Sequence, residues 1–437
     1  MSKKTIDYKK IGIMGVICIF VLHSSMTSAF AASNQNKSVF DTLSKPRIIE
    51  GRNSDYENPP TLKASEYLPP KLFKSKYHTV DEKIDTFGFT NRYRIDTKYF
   101  MMDIQGDDTL RKRVQEAYAL VALEKMKKSK QFGKAAKNAA KAPFSFAKNL
   151  VTSPVDTVTN VPKGLWRYIT RAGEMVVGNR EEVEDSVGKE LLGFSGAKRK
   201  LAHQLGVDVY STNQTLQSEL NSVAWAAFSG GFVVGLAMTP VRVLSLTKTS
   251  HRMNNVLRDN APEDLRKLNR KKLQGIVSKD VLIKKFLKHP YYSPRHETIL
   301  VDALHTMQGT RNIDKFIYRA NTAESFEDAF LFQRIAELLS EYHENVSPIK
   351  KIVIGPTRGL PMAVTKDNKL IMTLLVDYGV WSRPAAEWIR ELAKANSRVD
   401  PNRKIELWIT GTLSVLAKGE IESLGISVTE KAFDRLK

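Results

Sequence analysis

Residues 223–241, VAWAAFSGGFVVGLAMTPV, run nineteen positions without a formal charge in a chain of which 26% is charged. As a helix they would rise about 28 Å, close to the ~30 Å of a bilayer's hydrocarbon core, so something apolar must cover them. Two placements do so. In the first the segment spans a membrane: residues 203–222 hold no Lys or Arg, whereas 242–261 hold Arg242, Lys248, Arg252 and Arg258, a bias that leaves the C-terminal side in the cytoplasm. In the second it is the end of a core helix capped by Asn213 and stopped by Pro240, since Leu216, Leu220, Val223 and Ala227 lead into it as one stripe. Gly230, Gly231 and Gly235 permit close helix contact in either setting and reduce the apolar area. The continuous stripe favours the core helix; the span is the alternative.

The first residues read as an export signal. Lys3, Lys4, Lys9 and Lys10 precede an uncharged run from Ile11 to Leu22, and Ala29-Phe30-Ala31 supplies a cleavage site that leaves Ala32 as the new N-terminus. Cys18, the only cysteine, lies within that apolar run and not at the cleavage point, which disfavours lipid anchoring. The exported chain then has neither disulfides nor a cysteine nucleophile. The formal charge is +21, and removing residues 1–31 takes away four lysines and one aspartate, leaving +18. Such an excess suits anionic partners. For an exported chain these are a phospholipid surface, an envelope polymer or another envelope protein, with nucleic acid well behind.

Residues 32–83 are polar, with Pro46, Pro59, Pro60, Pro69 and Pro70 and few regularly spaced apolar positions, and read as an extended tether. Phe89–Ile95 and Tyr99–Ile104 are β-prone around a turn near Asp96, a short hairpin. Asp107 or Asp108 then caps a helix with Leu110, Val114, Ala117 and Val121 on one face. It leads into Lys125–Lys148, which holds eight lysines and no acid. Here Lys134, Lys137 and Lys141 share a helical face opposite alanines, with Phe144 and Phe146 following, the arrangement of a cationic helix that touches anionic lipid. A solvated helix face is the plainer alternative.

Further helix starts are expected at Ser153-Pro154, after Pro162, at Ser195, at Asn213, at Pro262, at Ser293-Pro294 and at the Ser325–Asp328 capping box, so residues 105–346 read as almost wholly helical. The period changes at Pro348. Strands are predicted at 351–354, 362–365, 369–376, 404–409 and 426–429, with helices at 384–396 and 413–423 and a turn at Asp367-Asn368. The fold class is mainly α: a multi-helix body over 84–347 with a short N-terminal β-hairpin, and a small C-terminal α/β domain over 348–437.

No catalytic residue, metal site or cofactor follows from the motifs. His296-Glu297 lacks the second histidine of a zinc-binding helix, and His289, His296 and His305 are not spaced to share a face. A ligand has one natural place. Thr410-Gly411-Thr412-Leu413-Ser414 follows a predicted strand and opens a helix, so its N–H groups and hydroxyls can hold an anion, with Asp377 at a neighbouring strand end and Arg358 in a loop nearby. The competing assignment makes Thr412 or Ser414 a helix cap and Asp377 a turn residue. The expectation is an exported, basic cell-envelope protein of the periplasm or inner membrane with an interaction or structural role. An anionic-ligand binder or enzyme built on the C-terminal domain is the second expectation, and a membrane-perturbing protein the third.

Overall fold

A computed structural model describes residues 55–139, 186–232, 248–356 and 359–436. The export signal, the first part of the tether and the segments at Ser153 and Pro162 lie outside the described residues. What is described is mixed α/β with a helical majority.

The chain opens with β1 (Thr61–Lys63), the one-turn helices α1 (Ala64–Tyr67) and α2 (Pro70–Phe73), then β2 (His78–Val80), β3 (Lys83–Phe87), β4 (Thr90–Thr97) and β5 (Met101–Gln105). The predicted hairpin is present as β4–β5, with Asp96 opposite Met101. It is part of something larger. Along one edge β4 pairs with β3 at its start and β2 at its end, β1 continues beyond β3, and all pairs are antiparallel. The tether expected over 32–83 is therefore corrected from residue 55 onward. Ala64, Leu68, Leu72 and Val80 are buried with Ile84, Tyr93 and Ile95 beneath Leu110 and Val114. Elements of three to five residues leave no periodicity to read, and Pro70 opens α2 at its first position, where a fixed φ and a missing N–H cost nothing.

Helix α3 (Asp107–Lys127) buries the expected Leu110, Val114 and Ala117, but its cap is Gly106, and Asp107 and Asp108 occupy the first turn, where the helix dipole favours acids. Its first half lies on the sheet. Its second half packs with α4 (Lys130–Ala139), α5 (Ser186–Leu205) and α6 (Gln214–Gly230) in a separate core. Ser195 lies inside α5 and starts no helix.

Helix α6 decides the opening segment as far as it is described. Asn213 caps it, accepting the Leu216 N–H, and Leu216, Leu220, Val223, Ala224, Trp225 and Ala226 are buried. The helix ends at Gly230, because Gly231 takes the left-handed conformation (φ 70°) that glycine adopts without strain, and the Phe232 N–H turns back to the Ala226 carbonyl. The single helix expected over 223–241 is thus interrupted after eight residues; 233–241 lie outside the described residues. Among the described residues no helix is long and apolar enough to cross a membrane. A Cβ on Gly230 would fall 2.1 Å from the Ala135 carbonyl oxygen, so the close approach that glycine allows is made between α6 and α4.

Helices α7 (Lys248–Asp259), α8 (Pro262–Gln274), α9 (Asp280–Leu287), α10 (Pro294–Thr306), α11 (Ile313–Ala320) and α12 (Phe326–Asn345) follow, with Ser293 and Ser325 capping as expected. Strands β6 (Ile349–Ile354), β7 (Pro361–Thr365) and β8 (Leu370–Leu374) form an antiparallel meander turned by Asn368 at φ 63°. Strands β10 (Ile405–Ile409) and β12 (Ile426–Thr429) extend it in parallel after the crossover helices α13 (Arg383–Val399) and α14 (Val415–Ser423). The order is β12-β10-β8-β7-β6, and β9 (Tyr378–Gly379) and β11 (Thr412–Leu413) make a small parallel pair beside it. The boundary drawn at residue 348 is not a break in packing. One core runs from Leu273 to Leu436, joining α8–α12 to this sheet, because β7 and β8 are buried along their whole length.

Candidate functional site

The residues singled out in the C-terminal segment converge where β8 and β10 end side by side. Thr410 Oγ1 donates to the Val376 carbonyl and accepts the Val376 N–H, each at 2.9 Å, which ties the two strand ends. Gly411 follows because nothing larger fits: a Cβ there would lie 2.1 Å from the Asp377 carbonyl oxygen and 2.4 Å from that of Val376.

The donors that sequence assigns to an anion are already directed at the chain itself. The Thr412 N–H reaches the Asp377 carbonyl at 3.1 Å, the Ser414 N–H the Gly379 carbonyl at 2.8 Å, and the Leu413 N–H the Glu430 carboxylate at 2.8 Å. Ser414 caps α14 by accepting the Ala417 N–H at 3.0 Å, and its hydroxyl donates to Glu57. Glu57 also accepts the Trp381 N–H at 2.7 Å and gives its own N–H to the Trp381 carbonyl. Two carboxylates of the protein, Glu57 and Glu430, thus stand where a bound anion would. Neither is adjacent in sequence to the loop.

Asp377 faces the other way, into the junction with the N-terminal sheet. Its carboxylate accepts the Asn91 N–H of β4 at 2.9 Å and the Asp107 N–H of α3 at 3.2 Å, while its own N–H donates to the Phe89 carbonyl. Asp107 in turn accepts the Tyr67 hydroxyl at 2.9 Å, the Asn91 side-chain amide at 3.3 Å and the Tyr93 hydroxyl. Burial raises the pKa of both carboxyl groups. In Asp107 the tyrosine hydrogen bonds oppose the shift; in Asp377, raised well above the ordinary aspartate value, the Asp107 charge adds to it. Burial and the same two acids also raise the Tyr67 and Tyr93 hydroxyls, so both remain protonated donors.

No family model, no curated protein and no solved structure matches this chain. The geometry therefore carries the reading alone. No local motif marks Tyr67, Asn91, Tyr93 or Asp107 as a site residue: Tyr67 lies in the segment expected to be a tether, Tyr93 is a strand tyrosine, Asn91 follows a turn and Asp107 is a helix-start acid. No local motif signals Glu57 or Glu430.

Beside the pair, Asp108 meets Arg334 of α12 at 2.7 Å, and Arg334 reaches the buried Glu337 at 3.1 Å while its guanidinium stacks 3.9 Å from the Phe433 ring centre. Arg358 lies outside the described residues. Among the described residues no cluster of three or more His, Cys, Asp or Glu is placed to hold a metal.

The second set of sequence candidates is only partly described. Lys134 and Lys137 are exposed on α4, while Lys141, Phe144 and Phe146 lie outside the described residues. The opposite face of α4 is covered by protein: Phe132, Ala135 and Ala139 are buried, and Phe132 meets Phe232 edge-on at 5.6 Å. The alanine face expected to sink into lipid is packed on α6.

Proposed function

We propose that this chain is an exported, basic cell-envelope protein with an interaction or structural role, held against an anionic membrane surface by charge. One observation carries the reading: α4 seals its apolar face against α6 and leaves Lys134 and Lys137 outward, which offers cations on a rigid body without an insertable face. The C-terminal loop supports it, since the N–H groups of Thr412, Leu413 and Ser414 and the Ser414 hydroxyl are bonded within the protein, to Asp377, Glu430, Gly379 and Glu57. Sedimentation of the exported form with vesicles tests the proposal. Binding to phosphatidylglycerol-containing vesicles that falls with salt, and absence of binding to phosphatidylcholine, is expected. Equal or absent binding to both overturns it.

A second reading, an enzyme or small-ligand binder, has the Asp107–Asp377 pair in its favour, because a carboxyl group whose pKa is pushed upward is what general-acid chemistry uses. A small ligand that raises the unfolding temperature of the wild type but not of Asp377→Asn would establish it.

A further inference from the structure

We infer that the outer face shared by α8 and α9 is a second surface, besides α4, by which the protein seats on an anionic phospholipid bilayer. The inference rests on the membrane-contact reading above and goes beyond it by naming a different part of the molecule from α4. Between Leu265 and His296 the sequence holds ten Lys or Arg and one acid, Asp280. Leu265, Asn269 and Leu273 of α8 and Ile283, Phe286 and Leu287 of α9 face the core. Lys267, Lys271, Lys279, Lys284, Lys285 and Lys288 are left exposed. The two outer faces adjoin, because Asp280 accepts Arg270 of α8 at 3.4 Å and Lys284 of α9 at 2.8 Å.

Stability does not account for this grouping. Cations suit the last turn of α8, but Lys279 stands at the N-cap of α9, where the helix dipole repels them and where its side chain makes no capping bond. Lys271, Lys279, Lys285 and Lys288 make no ion pair among the described residues. Two aliphatic side chains stand out among these cations: Val281, 71% exposed, and Leu268, 41% exposed. Val281, Lys284, Lys285 and Lys288 follow one another at helical spacing, so the apolar side chain and the amines lie on one stripe. A polyanion in solution gains nothing from exposed aliphatic groups, whereas the boundary between headgroups and acyl chains accepts both.

The exported chain lacks cysteine, so a single label can be placed at will. Val281→Cys carrying the polarity-sensitive fluorophore NBD is compared with Asn138→Cys on α4 and with Val399→Cys, an exposed site on α13, in the full exported chain. With phosphatidylglycerol vesicles at low salt the label at 281 is expected to shift blue and brighten, the label at 399 to stay unchanged, and high salt to reverse the effect. Lys279→Glu with Lys285→Glu should weaken vesicle affinity roughly tenfold to a hundredfold. Vesicle binding with a silent label at 281, whether or not 138 responds, overturns the inference and leaves the membrane reading standing. Absence of vesicle binding removes both. A response at 281 to an RNA oligonucleotide but not to vesicles assigns the face to a polyanion and overturns the inference.

Discussion

The backbone N–H of Asp107 donates to the side-chain carboxylate of Asp377 at 3.2 Å, so the first turn of α3 is bonded to the residue that precedes β9, across 270 positions of chain. Around that bond two buried acids share donors from Asn91, Tyr67 and Tyr93. The consequence is a pH dependence of sign opposite to that of an ordinary salt-bridged carboxylate. Both pKa values are raised in the folded state, so the fold binds protons more tightly than the unfolded chain. This stabilisation is complete below the unfolded aspartate value of about 3.9 and is lost as pH rises through the folded values. Asp377→Asn should flatten the decline, read as the urea midpoint measured across that range. Parallel curves for variant and wild type would show that the pair does not set the dependence.

Ser414 and Glu57 hold one another while Ser414 caps α14. Ser414→Ala should cost about 1–2 kcal/mol, and in a double-mutant cycle with Glu57→Ala the two losses should fall short of additivity by about 1 kcal/mol. Strict additivity would mean the contact is energetically empty. Phosphate added to the wild type should leave the amide resonances of Thr412, Leu413 and Ser414 in place, because all three N–H groups are already bonded within the protein.

Arg334 is the cation between Asp108 and the fully buried Glu337. Arg334→Met takes that cation from a buried carboxylate and should cost about 3–5 kcal/mol in urea unfolding. Adding Glu337→Gln should recover part of the loss, since the unpaired charge is then gone. A loss below about 1 kcal/mol in the single variant would contradict the assignment.

Lys134→Glu with Lys137→Glu should weaken binding to anionic vesicles roughly tenfold and leave thermal stability near that of the wild type. Gly230→Ala should do the reverse, because the added Cβ meets the Ala135 carbonyl oxygen and forces α6 from α4. Vesicle binding that survives both charge reversals would exclude α4 as a contact.

Long elements with a clear period were legible in the sequence. The stripes of α3 and α6, the Ser293 and Ser325 caps, the β7–β8 turn and the parallel strands β8, β10 and β12 all follow from local rules. Residues 55–83 were not, because three-residue strands and one-turn helices are held by what packs on them and carry no pattern of their own. Within the site, Asp377 and Ser414 were visible as polar residues at element ends. Their partners were not, since Glu57, Asn91 and Asp107 lie hundreds of positions away and only the folded topology selects them.

Synthesis delivers the N-terminal end of a chain first. The local hairpins β3–β4 and β4–β5 need only neighbours to pair, yet the N–H groups of Asn91 and Asp107 find their acceptor only after residue 377 has emerged. Contacts of such long sequence separation form late and slowly. The first sheet therefore waits, half-satisfied, for residue 377, which ties completion of an N-terminal sheet to the arrival of a C-terminal one.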